Sequence, residues 1–146
     1  MAGLDPAAIA QALANRIQDG TSSAVHAYWF PIPKHQYPAA IVAPAAEFIE
    51  YQQTFGDRGG YTLKWAVTLK VVAVNPESAV TKMYDLMAAG TGHPSSVLNA
   101  IWADQQLNST VDGTYVSTGS PPTWETEEDR VVLTAVLSVT CIGNRT

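Results

Sequence analysis

Residues 61 to 74 read YTLKWAVTLKVVAV and alternate between large apolar side chains and smaller or polar ones. Tyr61, Leu63 and Trp65 begin the apolar side of this alternation. Because a period of two is typical of a β-strand, the stretch predicts one strand of fourteen residues. At about 3.3 Å per residue, such a strand would run about 46 Å if unbroken. A compact domain of this size has a diameter of roughly 40 Å. The sequence therefore predicts a strand that spans or overruns its own domain.

The residues before this strand predict a long β-hairpin. Residues 47–55 (EFIEYQQTF) indicate a first strand, and residues 56–60 (GDRGG) indicate the turn. An isolated hairpin is marginally stable in water, and burial of a large apolar side chain contributes about 1.5–3 kcal/mol. We therefore expect the outer hairpin, with its apolar side chains near the tip, to project and to pack on another subunit. The alternative is a bulge near Ala66 that splits the run into two ordinary strands folded over the domain.

The remaining elements predict an α+β fold in a single domain, residues 1–146. Helices are expected to begin at Asp5-Pro6, at Asn75-Pro76 and near Pro94. Further strands are predicted at residues 37–43, 111–118 and 130–142, with looped or extended chain over residues 21–38 and a turn over residues 124–129. We expect a mostly antiparallel, mixed sheet of four to five strands with helices packed on one face and a long projecting β-hairpin. The long strand and the last strand are the candidates for its centre.

The charge and the cysteine content limit the classes of function. The net charge is −5, and the eight basic residues are scattered along the chain, which argues against an autonomous nucleic-acid-binding protein. Cys141 is the single cysteine, so an intrachain disulfide and a thiolate metal cluster are excluded, and its strand position predicts a buried thiol. No apolar run approaches the ~20 residues of a membrane helix, and no secretory signal opens the chain. We expect folding in the cytoplasm and no membrane partner.

No catalytic or metal-binding pattern is found in the sequence. His26, His35 and His93 have no histidine or carboxylate at the i, i+4 spacing of helical metal ligands. Residues 90–96 (GTGHPSS) lack the lysine of a phosphate-binding loop, and no serine has a G-x-S-x-G setting. The acidic residues 125–129 lack the ligand spacing of a calcium loop. We therefore expect a protein that is not an enzyme and has no cofactor and no metal.

Two lysines lie on the polar side of the long strand. Thr-Leu-Lys occurs at residues 62–64 and again at residues 68–70, which places Lys64 and Lys70 on one face, about 20 Å apart. The acidic residues 125–129 of a neighbouring subunit are candidate partners for these lysines. Alternatively, the lysines only keep that face of the strand soluble.

The order of these elements resembles the tail terminator proteins of long non-contractile-tailed phages, the lambda-like tail terminator family. The residues that carry the resemblance are EFIEYQQTFGDRGGYTLKWAVTLKVVAVNPESAVTKMYDL and the closing DRVVLTAVLSVTCIG. The resemblance implies a homo-oligomer, a hexameric ring that caps the head-proximal end of the tail tube and stops tube polymerisation. The ring would join the tail to the head-to-tail connector proteins, and DNA would pass through its lumen without specific binding. The protein would be part of the virion, in the tail or neck, after assembly in the host cytoplasm.

A cyclic ring requires two different complementary surfaces. The expected subunit interface comprises the hairpin and the acidic turn, and residues 27–37 are a weaker candidate. Two alternatives remain, namely another neck or tail component (a head-closure protein or a tail-tube subunit) and a monomeric small-ligand-binding domain with a pocket under Trp29, Trp65 or Trp102. The predicted interface residues are Gly56, Asp57, Arg58, Gly59, Gly60, Tyr61, Leu63, Lys64, Trp65, Lys70, Glu125, Glu127, Glu128, Asp129 and Arg130.

Overall fold

A computed structural model describes residues 5–30, 36–51, 60–107, 110–127 and 129–144. In this structure, helices and strands are partly segregated along the chain. The α+β class is confirmed, and the sheet has six strands where four to five are predicted. In chain order the elements are α1 (Pro6–Gly20), β1 (His26–Tyr28), β2 (Ala39–Tyr51), β3 (Gly60–Val72), α2 (Pro76–Met87), α3 (Val97–Ala103), β4 (Gly113–Gly119), β5 (Thr123–Glu127) and β6 (Arg130–Asn144).

Each helix begins after a side chain that accepts hydrogen bonds from the first turn. Asp5 and Asn75 cap α1 and α2, and in both cases a proline occupies the first helical position. The third helix begins at Val97, three residues after Pro94, because Ser96 is its cap. The helix starts predicted at Asp5-Pro6 and Asn75-Pro76 are confirmed, since capping is a local property of the sequence.

One mixed sheet contains all six strands. Its order is β1-β2-β3-β6-β4, and β5 pairs with β6 as well. β1 is parallel to β2, whereas β2–β3, β3–β6, β4–β6 and β5–β6 are antiparallel pairs. β3 and β6 pair without a break from Gly60–Asn144 to Val72–Val132. These two strands therefore form the centre of the sheet, as predicted.

The three helices pack on one face of this sheet. Leu13 of α1, Met83 of α2 and Ile101 of α3 share a buried cluster with Leu69 of β3 and Leu137 of β6. All five side chains are at most 2% exposed. The period of two on β3 thus selects the face that the helices cover. The opposite face carries mostly polar and small side chains of β3, and a mixture of polar and aliphatic side chains of β6, among them Val132 and Ile142.

Three parts of the sheet differ from the prediction. β2 is one strand where two were expected on either side of Pro44, and its pairing with β3 is interrupted between Pro44 and Ile49. β5 occupies most of the predicted acidic turn, and β1 adds a short strand within residues 21–38, where looped or extended chain without an assigned strand is predicted. Pro44 is tolerated because no described strand pairs with the outer side of β2 at that point. On the outer side of an edge strand, no backbone N–H is needed as a hydrogen-bond donor.

Over the described residues, β3 does not leave the body of the domain. β6 pairs with it along its whole length, so the partner strand is as long as β3 itself. Ala66 pairs with both Ala43 and Ser138 and β3 is continuous, so the alternative in which a bulge near Ala66 splits the run into two strands is wrong. The nearby irregularity lies in β2 instead, between Pro44 and Ile49. The turn of the hairpin, within residues 52–59, lies outside the described residues, and its projection from the domain stays a prediction.

Candidate subunit interface

The three apolar residues predicted for a contact with another subunit are covered by their own chain. Tyr61 is 1% exposed, Leu63 is fully buried and Trp65 is 3% exposed. All three belong to the cluster that the helices cover. The prediction that these side chains lie against a second subunit is therefore wrong. The physical reason is that β6 and the helical layer accompany β3 along its length, so the apolar side of β3 remains in the core.

Trp65 is held by aromatic and sulfur contacts inside the domain. Its ring meets Phe48 of β2 edge to face, with ring centroids 4.7 Å apart. The indole N–H is buried near the Cys141 sulfur but makes no hydrogen bond of ordinary length. Thr114 donates a hydrogen bond to the same sulfur at 3.6 Å. Burial raises the pKa of the Cys141 thiol to about 11, against the smaller lowering effects of Thr114 and Trp65. Cys141 is therefore a structural thiol in its neutral form.

The two lysines of β3 pair within their own chain. The Lys70 ammonium lies 2.8 Å and 2.7 Å from the two carboxylate oxygens of Glu127 on β5. The side chains of this pair are only 15% and 25% exposed. Lys64 lies 3.8 Å from Glu47 of β2, whose side chain is 91% exposed. The expectation that Lys70 meets a carboxylate of a neighbour is corrected, because Glu127 of the same sheet is its partner. The contact of Lys64 with Glu47 is long and exposed, so the pairing of Lys64 with a neighbouring subunit stays a prediction.

The acidic turn between β5 and β6 remains at the surface. Glu125, Asp129 and Arg130 are exposed. Asp129 adopts a positive φ of 64°, the left-handed conformation that tight hairpin turns use and that aspartate tolerates. Glu125 also accepts a hydrogen bond from Thr134 at 3.4 Å. These exposed residues stay candidates for an interface. Gly60 is half-buried at the start of β3, and the predicted residues Gly56, Asp57, Arg58, Gly59 and Glu128 lie outside the described residues.

The sheet ends in two lateral edges on opposite sides. On one side, β1 covers β2 only over residues 39–41, so residues 42–51 of β2 have no described strand beyond them. We call β1 together with residues 29–30 and 42–51 the β1–β2 edge. On the other side, β4 and β5 both pair with β6 and have no described strand beyond them; we call these two strands the β4–β5 edge. Strand edges offer unpaired N–H and C=O groups to other chains.

Large apolar side chains are exposed along both edges. Trp29 and Phe30 follow β1 directly, are 39% and 46% exposed, and pack edge to face with ring centroids 5.0 Å apart. Tyr51 ends the β1–β2 edge and is also exposed. On the β4–β5 edge, Tyr115 and Trp124 are exposed to a similar degree. Aromatic residues that are half-exposed at a strand edge are typical of surfaces that bind another protein.

Trp124 also lines an open apolar groove of about 400 Å³ at the end of the sheet. Its lining combines Ala73, Val74 and Pro76, which follow β3, with Trp124 of β5 and Val131 of β6. Val74 is 93% exposed and Val131 is 50% exposed, so this is the largest cluster of exposed aliphatic side chains that the described grooves contain. The apolar lining and the shape suit an apolar or aromatic side chain better than a polar ligand.

The other grooves and the histidines provide no chemical centre. A groove of about 370 Å³ brings Arg16 together with Asp19 and Asp104, and this mixture of charges favours neither anions nor cations. His93 lies 3.3 Å from Asp85 of α2, His26 lies on β1, and His35 is outside the described residues. Within the described ranges, no group of three or more metal-ligating side chains is found. Trp29, Trp65 and Trp102, expected above a ligand pocket in one alternative, line neither of the two grooves described above.

In the part of the chain that the structure describes, no helix has the length and the apolar character needed to cross a membrane.

No protein-family model matches the sequence, and no curated protein matches it.

Of the β4–β5 edge, the sequence predicts the first strand, at residues 111–118, but not β5, because residues 124–129 are assigned to a turn. In residues 123–127 (TWETE), Glu125 and Glu127 alternate with Trp124 and Thr126, which is the period of a strand, and the tight turn at Asp129 follows. The groove at Trp124 carries no sequence signal, since its lining comes from β5, β6, the segment between β3 and α2, and the first residue of α2.

Proposed function

We propose that this protein is a structural subunit of a phage virion, a tail terminator. In this role it forms a homo-oligomeric ring, a hexamer by resemblance, at the head-proximal end of the tail tube. The ring stops the addition of tube subunits and presents its other face to the head-to-tail connector. The protein then acts by shape and contact rather than by chemistry.

The observation that supports the proposal is the order of elements on which the resemblance rests. A capped helix is followed by the β2–β3 hairpin with two strands of thirteen residues, by a helix capped at Asn75, and by a closing strand of fifteen residues. The sheet also has two lateral edges with exposed aromatic side chains, and a cyclic ring requires two different surfaces on each subunit. This arrangement favours a ring subunit over an isolated monomer.

The charge fits a lumen through which DNA passes. The net charge is −5 and no segment of the sequence clusters its basic residues, which argues against retention or reading of the DNA by the ring. This property is also expected of other neck components, and the test must therefore separate a terminator from a head-closure protein and from a tube subunit.

The test is electron microscopy of the purified protein mixed with tail tubes assembled without it. A terminator binds at one end of each tube as a ring and prevents elongation when more tube protein is added. Incorporation along the length of the tube would indicate a tube subunit. Binding to the connector without binding to tubes would indicate a head-closure protein. Either of these results, or no binding to tubes or connector, would contradict the proposal.

A further inference from the structure

Arg16 of α1 is a cation without a partner at the edge of a groove. Its Nε atom is buried and makes no hydrogen bond. None of the ion pairs between described residues includes Arg16, although Asp19 lies three residues further along the same helix. Residues at this spacing are neighbours on a helix surface, so the two opposite charges would be expected to pair. A buried polar atom without a partner is rare in proteins and requires an explanation.

The guanidinium of Arg16 lies at the contact between α1 and α3. A methyl group on Gly20 would lie 3.0 Å from Nη2 of Arg16 and 2.4 Å from the Cβ atom of Ala100 in α3. The guanidinium therefore rests beside the position where Gly20 has no side chain. In this place it lines the groove of about 370 Å³ without pairing with Asp19.

The groove presents groups that complement a ligand with both charges. Its lining includes Arg16 and Asp19 of α1 together with Leu107 and Thr110, which follow α3. Asp104 also lines the groove but already takes part in another interaction. A simple anion would be attracted by Arg16 and repelled by Asp19, and the reverse holds for a simple cation. A groove of about 370 Å³ is within the size range of sites for small molecules.

We propose that this groove binds a small zwitterion of the α-amino acid class. The carboxylate of the ligand accepts hydrogen bonds from the guanidinium of Arg16, and its ammonium group donates to the carboxylate of Asp19. Both charged groups of an α-amino acid are bonded to one carbon atom, so one molecule bridges two side chains whose Cβ atoms are about 5–6 Å apart. A short apolar side chain of the ligand packs against Leu107. The inference goes beyond the proposed function, because it requires no assembly of the protein.

The test is an NMR titration of the isotope-labelled full chain with three probes. L-alanine carries both charges, acetate carries only the carboxylate and methylammonium carries only the cation. L-alanine is expected to shift the Nε–H signal of Arg16 and to bind with a dissociation constant of about 1 mM or less. Acetate and methylammonium are each expected to bind at least about tenfold more weakly, because each lacks one charge-assisted hydrogen bond.

Two variants assign the roles of the charged side chains. Arg16→Gln and Asp19→Asn are each expected to weaken the binding of L-alanine at least about tenfold. Lys82→Gln is the matched control for Arg16→Gln, since it makes the same change of charge at a half-buried position of α2. Asp129→Asn is the matched control for Asp19→Asn, because both aspartates are exposed. Both controls are expected to bind L-alanine like the unmodified chain.

The titration of the unmodified chain is independent of any loss of folding in the variants. Absence of a saturable shift of the Arg16 Nε–H signal up to about 10 mM L-alanine would overturn the inference. Acetate that binds as tightly as L-alanine would overturn it too, since the groove would then be a simple anion site. An Arg16→Gln or Asp19→Asn variant that binds like its control would also refute it. The terminator function is tested with tubes and without these probes, so neither result decides the other.

Discussion

A methyl group on Gly143 would lie 2.5 Å from the hydroxyl oxygen of Tyr61 and 2.7 Å from the ring carbon that bears it. The two residues are direct partners in the β3–β6 ladder. The ring of Tyr61 is therefore folded across the strand onto the backbone of Gly143. This contact explains why an aromatic residue at the outer end of β3 is buried within its own chain.

Gly143→Ala is expected to destabilise the protein by about 1–3 kcal/mol, because the new methyl group overpacks the site under the Tyr61 ring. Urea denaturation measures the free energy of unfolding. Gly113→Ala on the neighbouring strand is the control, since its methyl group would meet Ile142 at an ordinary 3.5 Å. Equal effects of the two substitutions would show that the Tyr61 ring does not rest on Gly143.

Gly20→Ala separates helix propensity from packing. Alanine is favoured over glycine by about 1 kcal/mol inside a helix, so propensity alone predicts a more stable protein. The added methyl group would, however, lie 2.7 Å from the Cα atom of Ala100 in α3, and backbone yields less readily than a flexible side chain. We expect packing to dominate and the melting temperature to fall. A higher melting temperature would mean that α1 and α3 move apart at little cost.

Lys70→Ala is expected to cost about 1–3 kcal/mol in the free energy of unfolding, because both carboxylate oxygens of Glu127 would lose their hydrogen bonds from the Lys70 ammonium at a part-buried position. Lys64→Ala is the matched control on the same strand. Its partner Glu47 is exposed, and surface pairs of this kind contribute about 0–1 kcal/mol. Urea denaturation at low and at high salt should show that salt removes the destabilisation caused by Lys64→Ala. Most of the destabilisation caused by Lys70→Ala should remain at high salt. A Lys70→Ala variant as stable as the control would contradict the pairing with Glu127.

Stability should fall at alkaline pH through Cys141. Burial raises the pKa of this thiol from 9.0 to about 11, so the folded state holds a proton that the unfolded chain releases earlier. This contribution to stability is fully present below pH 9.0 and is lost as pH rises towards about 11, by about 2–3 kcal/mol at about 1.4 kcal/mol per pH unit. Denaturation of the unmodified chain and of Cys141→Ala over this range measures the difference.

The Cys141→Ala variant should lack this component. Burial also raises the pKa of Tyr61 above 10.0, with a smaller contribution from the charge of Cys141, so the loss of stability due to Tyr61 should remain in the variant but be smaller. Parallel pH profiles of the two proteins would contradict the assignment. In the folded protein at pH 8, a thiol reagent should modify Cys141 only as fast as the chain opens, and urea should accelerate the reaction. Rapid modification without urea would show that the thiol is accessible.

The sequence predicted those features that depend on neighbours along the chain. Asp5 and Asn75 followed by proline place two helix starts, and the alternation after Tyr61 identifies a central strand and its apolar side. The strand at β5 was missed because five residues are a short sample of any period. The sequence predicts two strands around Pro44, because a proline is disfavoured inside a sheet. It is tolerated at an edge, and the edge position of β2 is known only from the order of strands in the sheet.

By itself, the sequence determined which side of β3 is apolar, where the capped helices begin and that the chain is acidic. Only the tertiary structure decided what covers that apolar side. Periodicity is a local property of the backbone, whereas burial depends on the length and position of partners far along the chain. Tyr61 lies in the core because Gly143 and the rest of β6 extend as far as it does. The same long-range pairing places Trp124 and Trp29 on opposite flanks of the sheet, a relationship that no local pattern contains.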